Sequence, residues 1–209
     1  MASFWYIEDN STIKGHKNRL EQNTQDLNIK QVIPNEEGFK PEVEYLCSEE
    51  FYEEYDGLIL DLRLDDNPDT GAAYRAGAIA QQVRDQAGDW NVERKDYDVQ
   101  NYPIVLLTSE ENYRRTYKRD RTSHDLFDIV IIKGDLGTQE SDSGENYAKK
   151  AGAKLEALAA GYPQITKCLE ELRNSYIAPQ EKNATDADHA EEALARMLGF
   201  GSIEDAAFL

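Results

Sequence analysis

The sequence predicts an α/β protein built on a doubly wound parallel sheet, and two observations carry the prediction. Four short apolar runs are continuous where a half-exposed strand would alternate, as in parallel strands covered on both faces. They are residues 4–7, 58–62, 104–107 and 129–132. Helical patterns fill the segments between them, so strands and helices alternate along the chain. A weaker fifth strand candidate, residues 43–47, alternates and is expected nearer a sheet edge.

The intervening helices are predicted from caps and from apolar spacing. Ser48 precedes several acids in "SEEFYEEY", which is typical of a helix N-terminus. Within 71–87, apolar residues recur at spacings of three and four, namely Ala72, Ala76, Ile79, Ala80, Val83 and Ala87. Residues 12–23, after Asn10 and Ser11 as possible caps, and residues 111–120 also favour helices. Two stretches, 31–41 and 88–103, predict loops or small insertions.

A heptad-like apolar stripe runs through the C-terminal part, from Ala148 to Tyr176. Gly161 and Pro163 interrupt it, so it predicts either two packed helices or one kinked helix. The stripe can pack on the protein's own sheet, which we favour, or form a homodimer. An acidic tail follows, which either packs on the core or folds on a partner. We therefore predict a domain over 1–160 with a helical extension and acidic tail over 161–209.

Composition excludes several classes of protein. The 41 acidic and 23 basic residues give a net charge of −18, which repels nucleic acid and anionic membranes. Cys47 and Cys168 stand in no paired motif, so neither a disulfide framework nor a zinc site is predicted. The sequence has neither the pattern of a signal peptide nor an apolar run of membrane-spanning length. We therefore expect a cytoplasmic protein.

Polar, reactive side chains follow the same end of all four apolar runs. They are Glu8 and Asp9, then Asp61, then Thr108 and Ser109, then Lys133. Ligands of open α/β sheets bind outside the carboxyl ends of the strands, so these groups are expected to converge. Crowded carboxylates call for a hard cation such as Mg²⁺, and a hydroxyl with an ammonium suits phosphoryl oxygens. Asp61, central in this set, is the candidate nucleophile.

On these residues the chain resembles the response-regulator receiver domain, the phosphoacceptor of two-component signalling. The resemblance extends over about residues 3–133, and the helix that follows completes the usual fifth helix. Its motifs are "WYIEDN", "GLILDLRLDDNPDTG", "YPIVLLTSEE" and "FDIVIIKGD". It implies a flavodoxin-like fold with a five-stranded parallel sheet, to which this chain adds a C-terminal helical extension.

The same resemblance implies a role for each site residue. Asp61 would be the phosphoacceptor, and Thr108 and Lys133 would bind the phosphoryl oxygens. Mg²⁺ would bind Asp9, Asp61 and the backbone carbonyl of Arg63, with Glu8 acting mainly through water. A histidine kinase or phosphotransfer protein would supply the phosphoryl group, and a downstream protein would receive the signal. The chain would phosphorylate and dephosphorylate itself without being a free-standing enzyme.

Three departures from the family leave a second interpretation open. Asp65 and Gly134 stand where the family usually has proline, and Val130 replaces the switch aromatic. Gly134, Val130 and the enlarged loops before the second and fourth strands favour an unphosphorylated receiver-like adaptor or scaffold subunit. The acid, Thr and Lys set favours a phosphoacceptor that acts through protein contacts or as a phosphoryl sink, since no basic recognition helix follows. A phosphohydrolase with an Asp nucleophile is less favoured, because its usual second Asp is here Arg63.

Overall fold

A five-stranded, all-parallel sheet is the main feature of a computed structural model of the chain. The structure describes residues 1–10, 15–64, 74–88, 90–91, 96–97, 101–115, 117–119, 125–137 and 142–172. The chain divides into two compact units, Met1–Tyr162 and Pro163–Leu209. The sheet belongs to the first unit, and the described part of the second is the end of a helix. The division predicted at residues 160 and 161 stays a prediction.

The order of the strands confirms the predicted fold class. The sheet contains β1 (Ala2–Ile7), β2 (Leu27–Val32), β3 (Gly57–Leu60), β6 (Ile104–Thr108) and β7 (Ile129–Ile132). They lie in the order β2-β1-β3-β6-β7, which is the flavodoxin-like doubly wound order. All four continuous apolar runs form strands of this sheet. Every residue of β3 and β6 is buried, as expected for strands covered on both faces.

The prediction of a strand over 43–47 is wrong. Residues 43–46 lie in α2 (Phe39–Leu46), where Val43 and Leu46 are three residues apart on one buried helical face. The fifth strand is β2, at the sheet edge, and its first four residues alternate between buried and exposed. Polar residues occupy half of "LNIKQV", so this strand lacks the continuous apolar signal of its neighbours.

The helices largely follow the predicted segments. They are α1 (Gly15–Gln22), α2, α3 (Glu49–Glu54), α4 (Ala76–Gly88), α5 (Glu110–Arg115) and α6 (Asp142–Leu172). The Ser48 hydroxyl accepts a hydrogen bond from the Phe51 backbone N–H at 3.3 Å, which confirms the predicted cap of α3. The predicted stripe of α4 is buried from Ala76 to Ala87. Ala72 and Ser11 lie outside the described residues.

One element was not anticipated in the stretch 88–103. Residues there form a short antiparallel pair, β4 (Trp90–Asn91) and β5 (Asp96–Tyr97), which is separate from the main sheet. The sequence predicted only a loop or small insertion, because two-residue strands carry no recognisable alternation.

Two hydrophobic cores cover the two faces of the sheet. The first core joins the sheet to α2, α3 and α4 through Leu46, Phe51 and Ile79. The second core joins the other face to α1 and α6, through Leu20 and Leu155. Helices therefore lie on both faces of the sheet, and ligands of such sheets bind outside the carboxyl ends of the strands.

Helix α6 is continuous from Asp142 to Leu172 and contains Pro163. Of the two predicted forms, a single helix is therefore the one observed over these residues. The first part of its apolar stripe is buried in the second core, through Ala148, Ala151 and Leu155. This part of the stripe packs on the protein's own sheet, as favoured from the sequence. Tyr176 and the acidic tail lie outside the described residues. No described helix has the length and apolar character needed to span a lipid bilayer.

Candidate functional site

The parallel register brings the predicted site residues to one edge of the sheet. Ile7 pairs with Leu60, and Leu60 pairs with Leu106. Thr108, the last residue of β6, pairs with Ile132. The residues that end or follow these strands, Glu8, Asp61, Thr108 and Lys133, thus lie at nearly the same level along the strand direction. The predicted convergence at the carboxyl edge follows directly from this register.

Three of these side chains also share one face of the sheet. Residues two apart in a strand project to the same side. The residues two positions earlier, Tyr6, Ile59 and Ile131, all belong to the second core. Glu8, Asp61 and Lys133 therefore project toward the face covered by α1 and α6. Their contacts agree, because Lys133 Nζ lies 2.6 Å from Glu8 Oε2 and 3.0 Å from Asp61 Oδ1.

The carboxylates are crowded and buried. Glu8, Asp9 and Asp61 are each less than a tenth exposed, and each offers an oxygen within 4.8 Å of the others. Lys133 pairs with two of the three acids and is itself mostly buried. Crowded carboxylates of this kind repel one another, and a bound divalent cation would offset that repulsion.

Burial sets the protonation behaviour of the central acid. It raises the pKa of Asp61 to about 6, with further increases from the charges of Glu8 and Asp9 and an opposing decrease from Lys133. Burial alone would lower the pKa of Lys133, but its pairing with Asp61 and Glu8 outweighs this and the pKa is raised. Burial also lowers the pKa of His16 on α1, and the charge of Lys133 adds to this effect. At neutral pH Asp61 is therefore largely an anion beside a cation.

Two polar atoms of the site lack a hydrogen-bond partner within the described part of the chain. They are Asp61 Oδ1 and Thr108 Oγ1, both buried. Lys133 Nζ reaches Asp61 Oδ1 at ion-pair distance, but not in the alignment of a hydrogen bond. Leaving a buried polar atom unpaired costs on the order of 1–3 kcal/mol, so such atoms are rare in purely structural positions. They mark a place where a ligand can supply the missing contact.

Sequence reasoning missed one polar contact of the site. The buried Tyr6 hydroxyl donates a hydrogen bond to Glu8 Oε2, and burial together with the charge of Glu8 raises the pKa of this phenol far above its usual value. The signal was present in the sequence, because Tyr6 and Glu8 are two apart and so face the same side of β1. A tyrosine within an apolar run is expected to be a core residue, and its polar contact is visible only in the structure.

The remaining predicted positions have ordinary surroundings. Ser109 Oγ accepts a hydrogen bond from the Asn112 backbone N–H at 3.2 Å at the start of α5. Arg63, two residues after Asp61, is partly buried. Val130 is partly buried and packs against the first core. Asp65 lies outside the described residues.

Gly134 lies in a short 3₁₀ turn, Lys133–Leu136, that follows β7 directly. None of the described peptide bonds is cis. The buried Arg19 of α1 donates from Nη1 to the Leu136 carbonyl at 2.8 Å. The turn that carries Lys133 is therefore tied to α1.

Solved structures similar to this chain include receiver domains of response regulators. One is the response regulatory domain of protein mrkE from Klebsiella pneumoniae, with 12% identity and a TM-score of 0.43 over 78% of this chain and 98% of that one. Another is a response regulator receiver domain from Rhodospirillum rubrum, with 17% identity and a TM-score of 0.43 over 75% and 94%. A third is a chain from the structure of the P1 domain of CheA3 in complex with CheY6 from R. sphaeroides, with 14% identity and a TM-score of 0.42 over 75% and 97%.

These similarities, at 17% identity or less, concern the fold alone. The sequence matches no protein-family model, and a search of curated proteins finds no match either. The function must therefore be argued from the site itself.

Proposed function

We propose that the chain is a receiver protein of a two-component-type signalling system that accepts a phosphoryl group on Asp61. The observation that carries the proposal is that the Asp61–Lys133 ion pair and the buried Thr108 hydroxyl, which has no hydrogen-bond partner among the described residues, lie together at the carboxyl edge of the sheet. A phosphoryl group on Asp61 would bring oxygens for a hydroxyl and an ammonium to bind. No ordinary structural role explains this set, because a structural cluster is normally saturated with hydrogen bonds.

Asp61 has the properties of a nucleophile in this proposal. With a pKa raised to about 6, it is mostly ionised at neutral pH, yet burial leaves it poorly solvated. One of its oxygens attacks the phosphorus of a phosphohistidine or a small phosphodonor. The new O–P bond forms as the bond from phosphorus to the donor breaks, and the imidazole or small acid leaves with the electron pair. Lys133 and Thr108 then bind the phosphoryl oxygens.

The acidic cluster fits a hard divalent cation. Glu8, Asp9 and Asp61 supply carboxylate oxygens close enough to share one ion, and such oxygens are the ligands that Mg²⁺ prefers. We propose that Asp9, Asp61 and the backbone carbonyl of Arg63 hold Mg²⁺, and that Glu8 acts mainly through water. When bound there, the ion would supply positive charge to offset the carboxylates and the phosphoryl oxygens.

The partners follow from the chemistry and the charge. The phosphoryl group would come from a histidine kinase or a phosphotransfer protein. The net charge of −18 disfavours nucleic acid, so we propose an output through contact with a downstream protein or as a phosphoryl sink, in the cytoplasm. A homodimer through the stripe of α6 would have to use its later residues, because Ala148, Ala151 and Leu155 are buried in the core.

Intact mass spectrometry tests the proposal. The protein is incubated with Mg²⁺ and acetyl phosphate, and in parallel with a phosphorylated histidine kinase. Wild type is expected to gain the mass of one phosphoryl group, and Asp61→Asn is expected to gain none. Asp85→Asn, which changes an exposed acid on α4, is the matched control and should behave as wild type.

The alternative interpretation predicts a different result. An unphosphorylated adaptor gains no mass with either donor, and its Asp61→Asn variant keeps any partner binding. A wild-type chain that stays unmodified under both conditions would contradict the phosphoacceptor proposal. Modification that persists in Asp61→Asn would contradict the assignment of Asp61.

A further inference from the structure

We propose that Tyr6 is a positioning residue that holds Glu8 on Lys133 and so weakens the binding of a divalent cation. The inference rests on the proposed function, because it concerns the same acidic cluster. It adds a residue that neither the sequence motifs nor the fold assigns to the site. In this view the tyrosine hydroxyl sets how readily the site loads its cation.

The contacts of Glu8 carry the inference. Tyr6 is only 1% exposed and belongs to the second core, so its hydroxyl cannot turn to solvent. It donates to Glu8 Oε2, and Lys133 Nζ lies 2.6 Å from the same oxygen. One carboxylate oxygen thus receives a neutral donor and a cationic donor together. These two contacts provide hydrogen bonds to Glu8 Oε2 without a metal ion.

Tyr6 and Lys133 differ in the partners that remain to them if Glu8 moves away. Lys133 keeps a second partner, since Asp61 Oδ1 lies 3.0 Å from Nζ. Tyr6 has no hydrogen-bond partner besides Glu8 among the described residues. If Glu8 turns toward a cation, the buried phenol is left unpaired, and that loss opposes cation binding. The loss of the Tyr6 contact is therefore not offset by another partner, whereas the loss of the Lys133 contact is partly offset by Asp61.

The hydroxyl is not needed for packing. Phe4, two residues earlier on the same face of β1, fills the same core with an apolar ring and is fully buried. A phenylalanine at position 6 would fill the space without a polar atom to satisfy. Packing alone therefore does not explain a buried phenol at this position, and the hydrogen bond to Glu8 does.

Isothermal titration of MgCl₂ into the full chain tests the inference. Tyr6→Phe is expected to bind Mg²⁺ roughly threefold to tenfold more tightly than wild type, the equivalent of one net hydrogen bond. Tyr102→Phe is the matched control. It removes another buried tyrosine hydroxyl, one that donates to the Leu46 carbonyl at 2.9 Å, and should leave the affinity unchanged.

The outcomes separate this inference from the proposed function. Equal or weaker Mg²⁺ binding by Tyr6→Phe, with normal binding by wild type, overturns the role of Tyr6 and leaves the phosphoacceptor site standing. Absence of Mg²⁺ binding in wild type and variant alike overturns the metal site, and this inference with it. Tighter binding by the variant supports the inference, because damage to the fold would not produce a gain.

A second pair of variants covers the case in which Tyr6→Phe does not fold. In the wild-type background, Glu8→Gln is expected to weaken Mg²⁺ binding far less than Asp9→Asn, because the Tyr6 and Lys133 donors on Oε2 make Glu8 a poorer ligand. If the two variants weaken binding equally, Glu8 is a direct ligand despite Tyr6, and the inference is wrong.

Discussion

At the amino edge of the sheet Arg84 pairs with Asp128, and at the carboxyl edge Lys133 pairs with Asp61, but the two pairs differ in their hydrogen bonds. Arg84 Nη2 lies 2.9 Å from Asp128 Oδ2. The same oxygen accepts from the Ile104 backbone N–H at 2.8 Å, and Oδ1 accepts from the Tyr162 hydroxyl at 2.6 Å. Arg84 also donates to the carbonyls of Leu126 and Tyr102. Every polar atom of this pair has a use within the fold.

At the carboxyl edge, not every polar atom has a hydrogen-bond partner among the described residues. Asp61 Oδ1 has an ion pair and no aligned hydrogen bond, and Thr108 Oγ1 has no partner among the described residues. The pKa of Asp61 is raised to about 6, while the amino-edge acid is held by three donors. A polar cluster in which every buried atom has a hydrogen-bond partner stabilises the fold. A buried polar atom without a partner destabilises the fold and is typical of a ligand-binding site. This difference is the physical argument for placing the proposed site at the carboxyl edge.

The largest effect is expected from breaking the amino-edge cluster. Arg84→Met removes four described hydrogen bonds and a cation–π contact with Tyr162, and leaves Asp128 without its cation. We expect a loss of about 2–4 kcal/mol in the free energy of unfolding, measured by urea denaturation. Mg²⁺ affinity of the folded protein should not change, because the cluster lies at the opposite end of the strands.

Arg115→Met is the matched control for this loss. Arg115 pairs with Glu111 on the exposed surface of α5 at 2.8 Å, and such a pair contributes roughly 0.3–0.5 kcal/mol. If the two variants lose equal stability, the amino-edge cluster is not the structural element that its contacts indicate.

An intermediate effect is expected from removing the charge of Asp61, and it depends on pH. The folded-state pKa of about 6 lies above the ordinary value of 3.8, so burying the anion costs stability. The cost is absent below about pH 4, grows as pH rises through this interval and is complete above pH 6. Asp61→Asn should therefore be more stable than wild type by about 1–3 kcal/mol at pH 8 and by little at pH 4.

Urea denaturation at the two pH values measures this difference, with the exposed Asp85→Asn as control. A gain of the same size at both values would mean that the carboxyl is not destabilised by burial. The raised pKa of Asp61 would then no longer distinguish the carboxyl edge from the amino edge.

The sequence predicted the sheet well where burial leaves a continuous apolar signal. Runs such as 58–62 can be only strands or buried helical segments, and their length favours strands. The edge strand β2 was not predicted because half of its residues are polar. Residues 43–47, most of which lie in α2, were predicted as a strand because their apolar residues also fit a short alternating pattern. Edge elements are determined by pairing, which a single segment does not encode.

The site was predictable to the extent that it depends on strand ends. Glu8, Asp61, Thr108 and Lys133 each follow or end an apolar run, so topology alone brings them together. The pairing of Arg84 with Asp128 joins residues 44 apart in sequence, and no local pattern records such a contact. The hydroxyl contact of Tyr6 was equally hidden, because it depends on the rotamer of a side chain that looks like core.

The smallest effect is expected from Thr108→Val. This variant tests directly whether the Thr108 hydroxyl at the carboxyl edge lacks a hydrogen-bond partner. The two side chains have nearly the same shape, and valine removes a fully buried hydroxyl that has no described partner. Because an unpaired buried hydroxyl is unfavourable, we expect the variant to gain up to about 1 kcal/mol in the free energy of unfolding. The same variant should lose contacts to the phosphoryl group, so its phosphorylated form should show a smaller structural change by NMR.

Thr24→Val supplies the opposite case, since the Thr24 hydroxyl donates to the Leu20 carbonyl. That variant should lose about 0.5–1.5 kcal/mol, the net contribution of one hydrogen bond. Opposite signs for the two Thr→Val changes would establish that the Thr108 hydroxyl is kept for a ligand and not for the fold. A loss of similar size in both would show that Thr108 is already hydrogen-bonded in the protein, and the carboxyl edge would then be as saturated as the amino edge.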